Sequence, residues 1–266
     1  MRLRIEHVTR FSYDGPISEA HTLMRLKPMD GWGQRCLSFM LTTDPRAEPA
    51  AYVDVRGNDV RYVDILQPHQ RLVVSAASLV LTTPALVDDQ RELSPLEQVD
   101  YLGETGYVTC TDAVRALAAP CRVGGDAAAT AQAVMRAVKG ALAYAKGVTD
   151  VTTTAVEALT LGRGVCQDYS HLMLAACRHL GLPARYVSGY LYDPKPGSEA
   201  APHAWVDVFL EGRGWLSLDP THGVEQTERH VRVAVGRDYS EVTPTRGVYT
   251  GNAAETLSVA VKVTPA

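Results

Sequence analysis

Along the first eighty residues the hydrophobic positions recur with period two, the mark of strands that bury one face and wet the other. Leu3 and Ile5 alternate with Arg2, Arg4 and Glu6, and Val53 and Val55 alternate with Asp54 and Arg56. Gly57-Asn58-Asp59 separates that run from Val60–Leu66, where Gly and Asn tolerate the positive φ of a hairpin turn. Arg71–Thr82 supplies another β-rich run, and the turn residues and charges from Pro84 to Pro95 predict a boundary near residue 90. The period then changes. Ser94-Pro95-Leu96-Glu97 reads as a capping box opening a helix over about 95–102. Asp126 opens an alanine-rich helix to about Tyr144, with Val134, Val138 and Leu142 on one face, and Thr154 with Glu157 caps a short helix that Gly162 ends. From Cys166 to Leu180 the positions Tyr169, Leu172, Met173, Ala176 and Leu180 keep helical spacing, with Gly181 and Pro183 as the stop.

Strand patterns return at Ala184–Tyr192 and, after a Pro/Gly-rich loop over Asp193–Pro202, at His203–Leu210 and Trp215–Leu218, which the turn Glu211–Gly214 joins into a hairpin ending at Asp219-Pro220. Leu257–Val263 alternates once more and predicts a strand returning to a sheet. The order predicts an α+β chain in three stretches: an N-terminal antiparallel β domain over 1–90, a catalytic core over 91–230, and C-terminal strands over 231–266 that pack back on a sheet.

Composition narrows the function classes. With 46% hydrophobic and 21% charged residues in 266, the chain is an ordinary globular protein. A formal charge of −4 supplies no basic excess for a phosphate backbone or an anionic membrane, so neither nucleic acid nor membrane is an expected partner. The opening MRLRIEHVTRFSY lacks the unbroken apolar stretch of a signal peptide, no run of about eighteen apolar residues occurs, and a cytoplasmic location is expected. Five cysteines, Cys36, Cys110, Cys121, Cys166 and Cys177, form no C-x-x-C pair, and their odd number leaves at least one thiol free. His171, Cys177 and His179 lack metal-ligand spacing, and no acidic calcium loop is present, so neither a metal nor another cofactor is expected. Oligomeric state leaves no signature.

Three residues carry candidate chemistry. Cys166 sits at a predicted helix N-terminus, where the helix dipole and a neighbouring imidazolium favour thiolate. His203 opens a strand and can take and return a proton near neutrality. Asp219, at the far end of the hairpin, can accept the other ring proton and fix the tautomer. With residue 211 as midpoint, positions 203 and 219 come opposite each other, which predicts an odd-length loop or a bulge rather than a two-residue turn. The backbone N–H of Gln167 is a candidate oxyanion donor, Trp205 shares a strand face with His203 and is a candidate shield or substrate contact, Asp168 complements the helix dipole, and Tyr169 packs in the core.

The segments Gly164-Val165-Cys166-Gln167-Asp168-Tyr169-Ser170-His171, Pro202-His203-Ala204-Trp205-Val206 and Leu218-Asp219-Pro220-Thr221, in that order, resemble the transglutaminase-like superfamily. Residues 1 to about 85 resemble the N-terminal β domain that precedes this core in bacterial members. The resemblance implies a papain-like Cys-His-Asp hydrolase or acyltransferase, with Cys166 as nucleophile, His203 as general base and Asp219 as orienting acid. His222 departs from the pattern, since bacterial relatives often carry Asn there. The expected reaction is acyl transfer through a thioester at an amide of a peptide or protein, resolved by water in a peptidase or amidase and by an amine in a transglutaminase. Transfer from a small thioester donor and a non-catalytic protein-binding module are the alternatives.

Overall fold

A computed structural model describes residues 1–84, 92–195 and 201–266. The boundary segment Pro84–Pro95 and the loop Asp193–Pro202 therefore lie partly outside the described residues. The N-terminal stretch forms strands β1 (Arg2–Ile17), β2 (Glu19–Met24), β3 (Gln34–Asp44), β4 (Ala50–Val53), β5 (Asp59–Ile65) and β6 (His69–Thr82), but the expected alternation at Val53 and Val55 is not a buried strand face: β4 ends at Val53, Val55 lies in the turn, and both are exposed. Leu3 and Ile5 are buried from one face of β1 while Arg2, Arg4 and Glu6 stay wet, as period two requires. The Gly57 turn joins β4 to β5, with Gly57 at φ +83° and both Asn58 and Arg56 amides donating to Asp54 Oδ1.

Helices α1 (Pro95–Leu102), α2 (Asp112–Ala118), α3 (Ala127–Ala141), α4 (Ala155–Leu161) and α5 (Cys166–His179) follow. The capping boxes at Ser94/Glu97 and Thr154/Glu157 are both formed, and Gly162 closes α4 in the left-handed conformation. Helix α3 stops at Ala141, short of the expected Tyr144, because Ala143–Tyr144 (β7) pairs in parallel with Arg163–Gly164 (β8) just before α5. That pairing fixes the entry of the chain into α5.

The core sheet runs β12-β11-β10-β9-β13, from β9 (Ala184–Leu191), β10 (Pro202–Leu210), β11 (Gly214–Asp219), β12 (Val224–Glu225) and β13 (His230–Gly236). Helix α5 lies on it with Leu172, Met173, Leu174, Ala176 and Cys177 buried, and α2, α3 and α4 close around α5. After the short α6 (Tyr239–Val242), β14 (Thr245–Thr250) pairs with β2 and β15 (Glu255–Pro265) pairs with β1, giving N-terminal sheets of order β14-β2-β5-β4 and β15-β1-β6-β3. Leu3, Ile5, Val80 and Val263 join the helices' core cluster, so the β15 sheet packs directly on the core. Gln34 ties the two parts further: its amide donates to Arg232 O at 2.8 Å and accepts from Arg232 N at 2.8 Å. No helix among the described residues is long and apolar enough to cross a membrane.

Candidate active site

Cys166 is the first residue of α5, half-buried, on a turn that Asp168 organises. Asp168 Oδ2 accepts from the Val165 amide at 2.7 Å and from Thr149 Oγ1 at 2.7 Å, so the carboxylate caps the helix start rather than merely complementing its dipole. Burial pushes its carboxyl upward despite these bonds. The neighbouring glycine has a specific reason to be glycine. A Cβ on Gly164 would lie 2.5 Å from Asp168 Oδ2. Gly164→Ala is therefore expected to displace the capping carboxylate, cost about 1–3 kcal/mol and slow alkylation of Cys166; an unchanged melting temperature with an unchanged alkylation rate would refute this account of the turn.

The hairpin of β10 and β11 has a three-residue loop, Glu211–Arg213, between the paired residues Leu210 and Gly214. The loop is odd, as the facing requirement demands, but its centre is Gly212 rather than residue 211. The ladder thereby shifts by two: Val206 faces Leu218, which sets Asp219 level with Trp205, and His203 is its diagonal neighbour on the same face. The long imidazole spans that offset. His203 Nε2 donates to Asp219 Oδ2 at 2.8 Å, which leaves Nδ1 as the ring nitrogen free of Asp219, and Cys166 lines the same two cavities as the ring. Burial opposes charge on His203, yet the hydrogen bond to Asp219 and the neighbouring Cys166 sulfur outweigh it and raise the imidazole to about 10.

Asp219 is fully buried and accepts five hydrogen bonds. Besides His203, its Oδ2 takes His222 Nδ1 at 2.7 Å and His230 Nε2 at 3.2 Å, while Oδ1 takes the amides of Thr221 at 3.0 Å and His222 at 3.2 Å. Burial would raise this carboxyl, but three imidazole donors hold it far below the ordinary carboxylate range. The Thr227 amide donates to His230 Nδ1 at 3.1 Å, which places the His230 proton on Nε2, facing Asp219. Burial lowers the His230 pKa, so it serves Asp219 as a neutral donor. Sequence patterns missed His230: it lies eleven residues beyond Asp219 on a strand that joins the opposite edge of the sheet, and only the pairing of β13 with β9 brings it back. His222, noted only as a departure, is a second partner of the carboxylate.

Other expected positions take different roles. Trp205 is fully buried behind His203, its ring stacked at 6.1 Å and its indole N–H donated to Gln226 Oε1 at 3.2 Å. It shields the imidazole and is not a substrate or oxyanion contact, because its polar atom is spent in the core. Gly189 allows this packing, since a Cβ there would meet the Trp205 ring at 2.7 Å. The Gln167 side-chain amide donates to Val151 O at 3.1 Å, leaving its backbone N–H in the first turn of α5 as the oxyanion candidate. Tyr169 is buried and donates to Leu142 O at 2.6 Å. His171 accepts from the Tyr239 amide at 3.2 Å, and burial pushes it down to about 3, so it is a neutral core residue. Among the described residues, the set whose ligand atoms could share an ion is His203, Asp219 and His230, within 4.8 Å of one another, and there the Asp219 oxygen already receives the ring nitrogens.

Two cavities meet at Cys166 and His203. The larger, about 870 Å³, runs past Tyr144 and His222 along β15; the smaller, about 220 Å³, is lined by Gln167, Tyr186, Tyr239 and Leu257 among others.

Comparison with known proteins agrees with this architecture. Residues 115–220 match the transglutaminase-like superfamily, and residues 3–81 match the bacterial transglutaminase-like N-terminal region. The fold is that of a solved structure from Cytophaga hutchinsonii described as a candidate cysteine protease, with TM-score 0.76, 23% identity, and coverage of 99% of this chain and 90% of that one. An uncharacterized protein of Mycobacterium leprae is 33% identical over 99% of this chain and 98% of its own length. The protein-glutamine gamma-glutamyltransferase of Pseudomonas aeruginosa is 35% identical over 89 residues, 28% of this chain and 13% of that protein. The chain belongs to the transglutaminase-like superfamily.

Proposed function

We propose that the protein is a cysteine-dependent acyl-transfer enzyme that breaks amide bonds in peptides or proteins through a thioester on Cys166, with water as the ordinary acyl acceptor. The observation that carries this reading is the buried His203 ring, hydrogen-bonded to Asp219 and lining, together with Cys166, both of the cavities that meet there. With the thiol proton resting on the His203 ring as imidazolium, the Cys166 sulfur attacks the amide carbonyl carbon. First-turn amides of α5, Gln167 N–H among them, stabilise the oxyanion, and the imidazolium protonates the departing amine. Water, deprotonated by the same ring, then attacks the thioester and frees the carboxylic acid and the thiol. A cleft of about 870 Å³ admits water to the acyl-enzyme, which favours hydrolysis. The named relative in Pseudomonas aeruginosa supports a second acceptor, an amine, at the same thioester.

The test is intact-mass detection of an acyl adduct on Cys166 after exposure to a peptide library, followed by a chase with water or a primary amine. Adduct formation that survives Cys166→Ala would eliminate this residue as nucleophile. Alkylation provides an independent check. Burial raises the pKa of Cys36, Cys110 and Cys121 and pushes Cys177 to about 12, so Cys166 is expected to react first near neutrality and to slow in His203→Ala. Equal rates at all five thiols would favour a non-catalytic binding module.

A further inference from the structure

Strand β15 is the outer member of the sheet β15-β1-β6-β3, and its unpaired side is turned to the cleft. Six consecutive residues, from Val259 to Thr264, line the large cavity. Side chains of successive strand residues point to opposite faces, so a run including both parities means that the strand's edge, with its backbone, forms the wall.

The hydrogen-bond phase shows which backbone groups face outward. At one end of the β1–β15 ladder Ala266 N donates to Arg2 O at 2.9 Å, and beyond the other end Asp14 N donates to Ala254 O at 3.1 Å. The register between them, from Leu3↔Pro265 to Tyr13↔Glu255, is unbroken. Even-numbered residues of β15 therefore direct their N–H and C=O at β1, and Leu257, Val259, Val261 and Val263 direct theirs away from it. Among the described residues no backbone group pairs with these.

Such an edge is normally blunted by proline, charge or a bulge. Here an eleven-residue strand has its one proline at the last position, no register shift against β1, only Glu255 at its start and Lys262 as charges, and Leu257 and Val259 exposed by 51% and 45%. Val259 lines both cavities, as do Cys166 and His203. We infer that this edge is the substrate-docking rail: an extended polypeptide segment adds to β15 as a further strand and is thereby laid across Cys166. Main-chain hydrogen bonds supply the affinity and alternate side chains supply the selectivity. The small cavity takes one apolar side chain between Tyr186, Tyr239 and Leu257. In the large cavity the exposed Lys195 and Lys262 face the bound segment, while Asp193 accepts from the Lys195 amide, so an acidic residue complements that side. The occupant is an unfolded or extended segment carrying apolar residues at alternate positions and an acidic flank.

This inference rests on the acyl-transfer reading for its chemistry, and its test is arranged to separate the two. The probe is the acetylated, amidated heptapeptide Ala-Val-Gln-Val-Ala-Glu-Ala carrying a fluorophore, titrated by anisotropy into the full-length Cys166→Ala protein, in which binding needs no reaction. Two further peptides are N-methylated at alternate amides, one at the odd and one at the even positions. One methylated set is expected to lose affinity by roughly tenfold or more and the other to change by less than about threefold, because one edge of an added strand faces the rail. Equal tolerance, equal loss, or no binding of the parent peptide below about 1 mM overturns the inference. In Val259→Pro an outward N–H is removed without breaking a bond to β1, and affinity is expected to fall by a similar factor at an unchanged melting temperature; undiminished affinity overturns the rail. Should that variant melt early, the methylation series, which leaves the protein intact, decides alone. A dimer seen by light scattering that persists at saturating peptide would assign the edge to a second copy instead. Alternation without an acyl adduct on the wild-type protein leaves the rail standing and removes the chemistry; an adduct without alternation does the reverse.

Discussion

Asp219→Asn is expected to lower peptide turnover by about 10³- to 10⁴-fold, the scale seen when an orienting carboxylate becomes an amide. The carboxylate oxygen that holds His203 also receives His222 and His230. An asparagine loses the negative charge, and in either orientation its N–H₂ group meets donors, the three ring nitrogens at the Oδ2 position or the Thr221 and His222 amides at the Oδ1 position, so part of the network that orients His203 is lost. The pH profile carries the sign. Asp219 is, with Cys166, one of the two neighbours that raise His203 to about 10, so the wild-type ring keeps its proton through neutrality and loses it as pH climbs through that region. Without the carboxylate the imidazolium is less stable, and the alkaline limb of turnover is expected to move toward neutral pH. Steady-state kinetics from pH 6 to pH 11, with a melting curve to confirm folding, provides the measurement. Turnover within about tenfold of wild type in a folded variant would show that Asp219 does not orient the base.

The largest loss of stability is expected at Asp207, in the core behind the site. Asp207 is fully buried between two buried guanidiniums: Arg185 Nε donates to it at 2.9 Å and Arg232 donates through both terminal nitrogens, while Ser217 Oγ donates at 2.6 Å. Trp215 lies under Arg185 at 3.9 Å, and Trp32 lies by Arg232 at 5.0 Å. Removing one partner of a buried ion group leaves the others uncompensated, so Asp207→Asn is expected to cost about 3–5 kcal/mol. Burial opposes the charge on Asp207, but the guanidiniums outweigh it and hold the carboxyl at about 2, below its ordinary value of about 3.8. A depressed acid contributes stability that is complete above the unfolded value and is lost as pH falls through the folded one. The full difference between the two proteins is therefore present at pH 7, where calorimetry reads it. A variant destabilised by less than about 1 kcal/mol would mean that the two arginines find other partners or water.

Local chemistry was legible in the sequence wherever one segment determines it. Ser94 with Glu97, Thr154 with Glu157, and the Cys166 helix with its glycine stop each depend on residues within a turn or two, and the structure has them at those places. The hairpin was legible in parity and not in register: faces alternate strictly, so an odd loop was required, but whether Glu211 or Gly212 sits at its centre depends on which glycine takes the left-handed turn. Both do, Gly212 at φ +69° and Gly214 at φ +78°, and Gly214 is thereby paired with Leu210. Contacts between distant strands left no periodic trace. His230 reaches Asp219 through a sheet pairing, Gln226 accepts the Trp205 indole hydrogen bond across the core, and Gly164 is explained only once the Asp168 carboxylate occupies the space above it.

The place of β15 in the chain order has a consequence for biosynthesis. The ribosome delivers Cys166, His203 and Asp219 well before it delivers the strand that pairs with β1 and walls their cleft. A nascent polypeptide halted after β13 holds the reactive set in an open trough and leaves one side of β1 bare, a template for mispairing with any other emerging strand. Closing that gap joins residues from opposite ends of the resolved fold, a contact of high loop entropy that comes slowly. Translation thus withholds the finished groove until its outermost rib is in place.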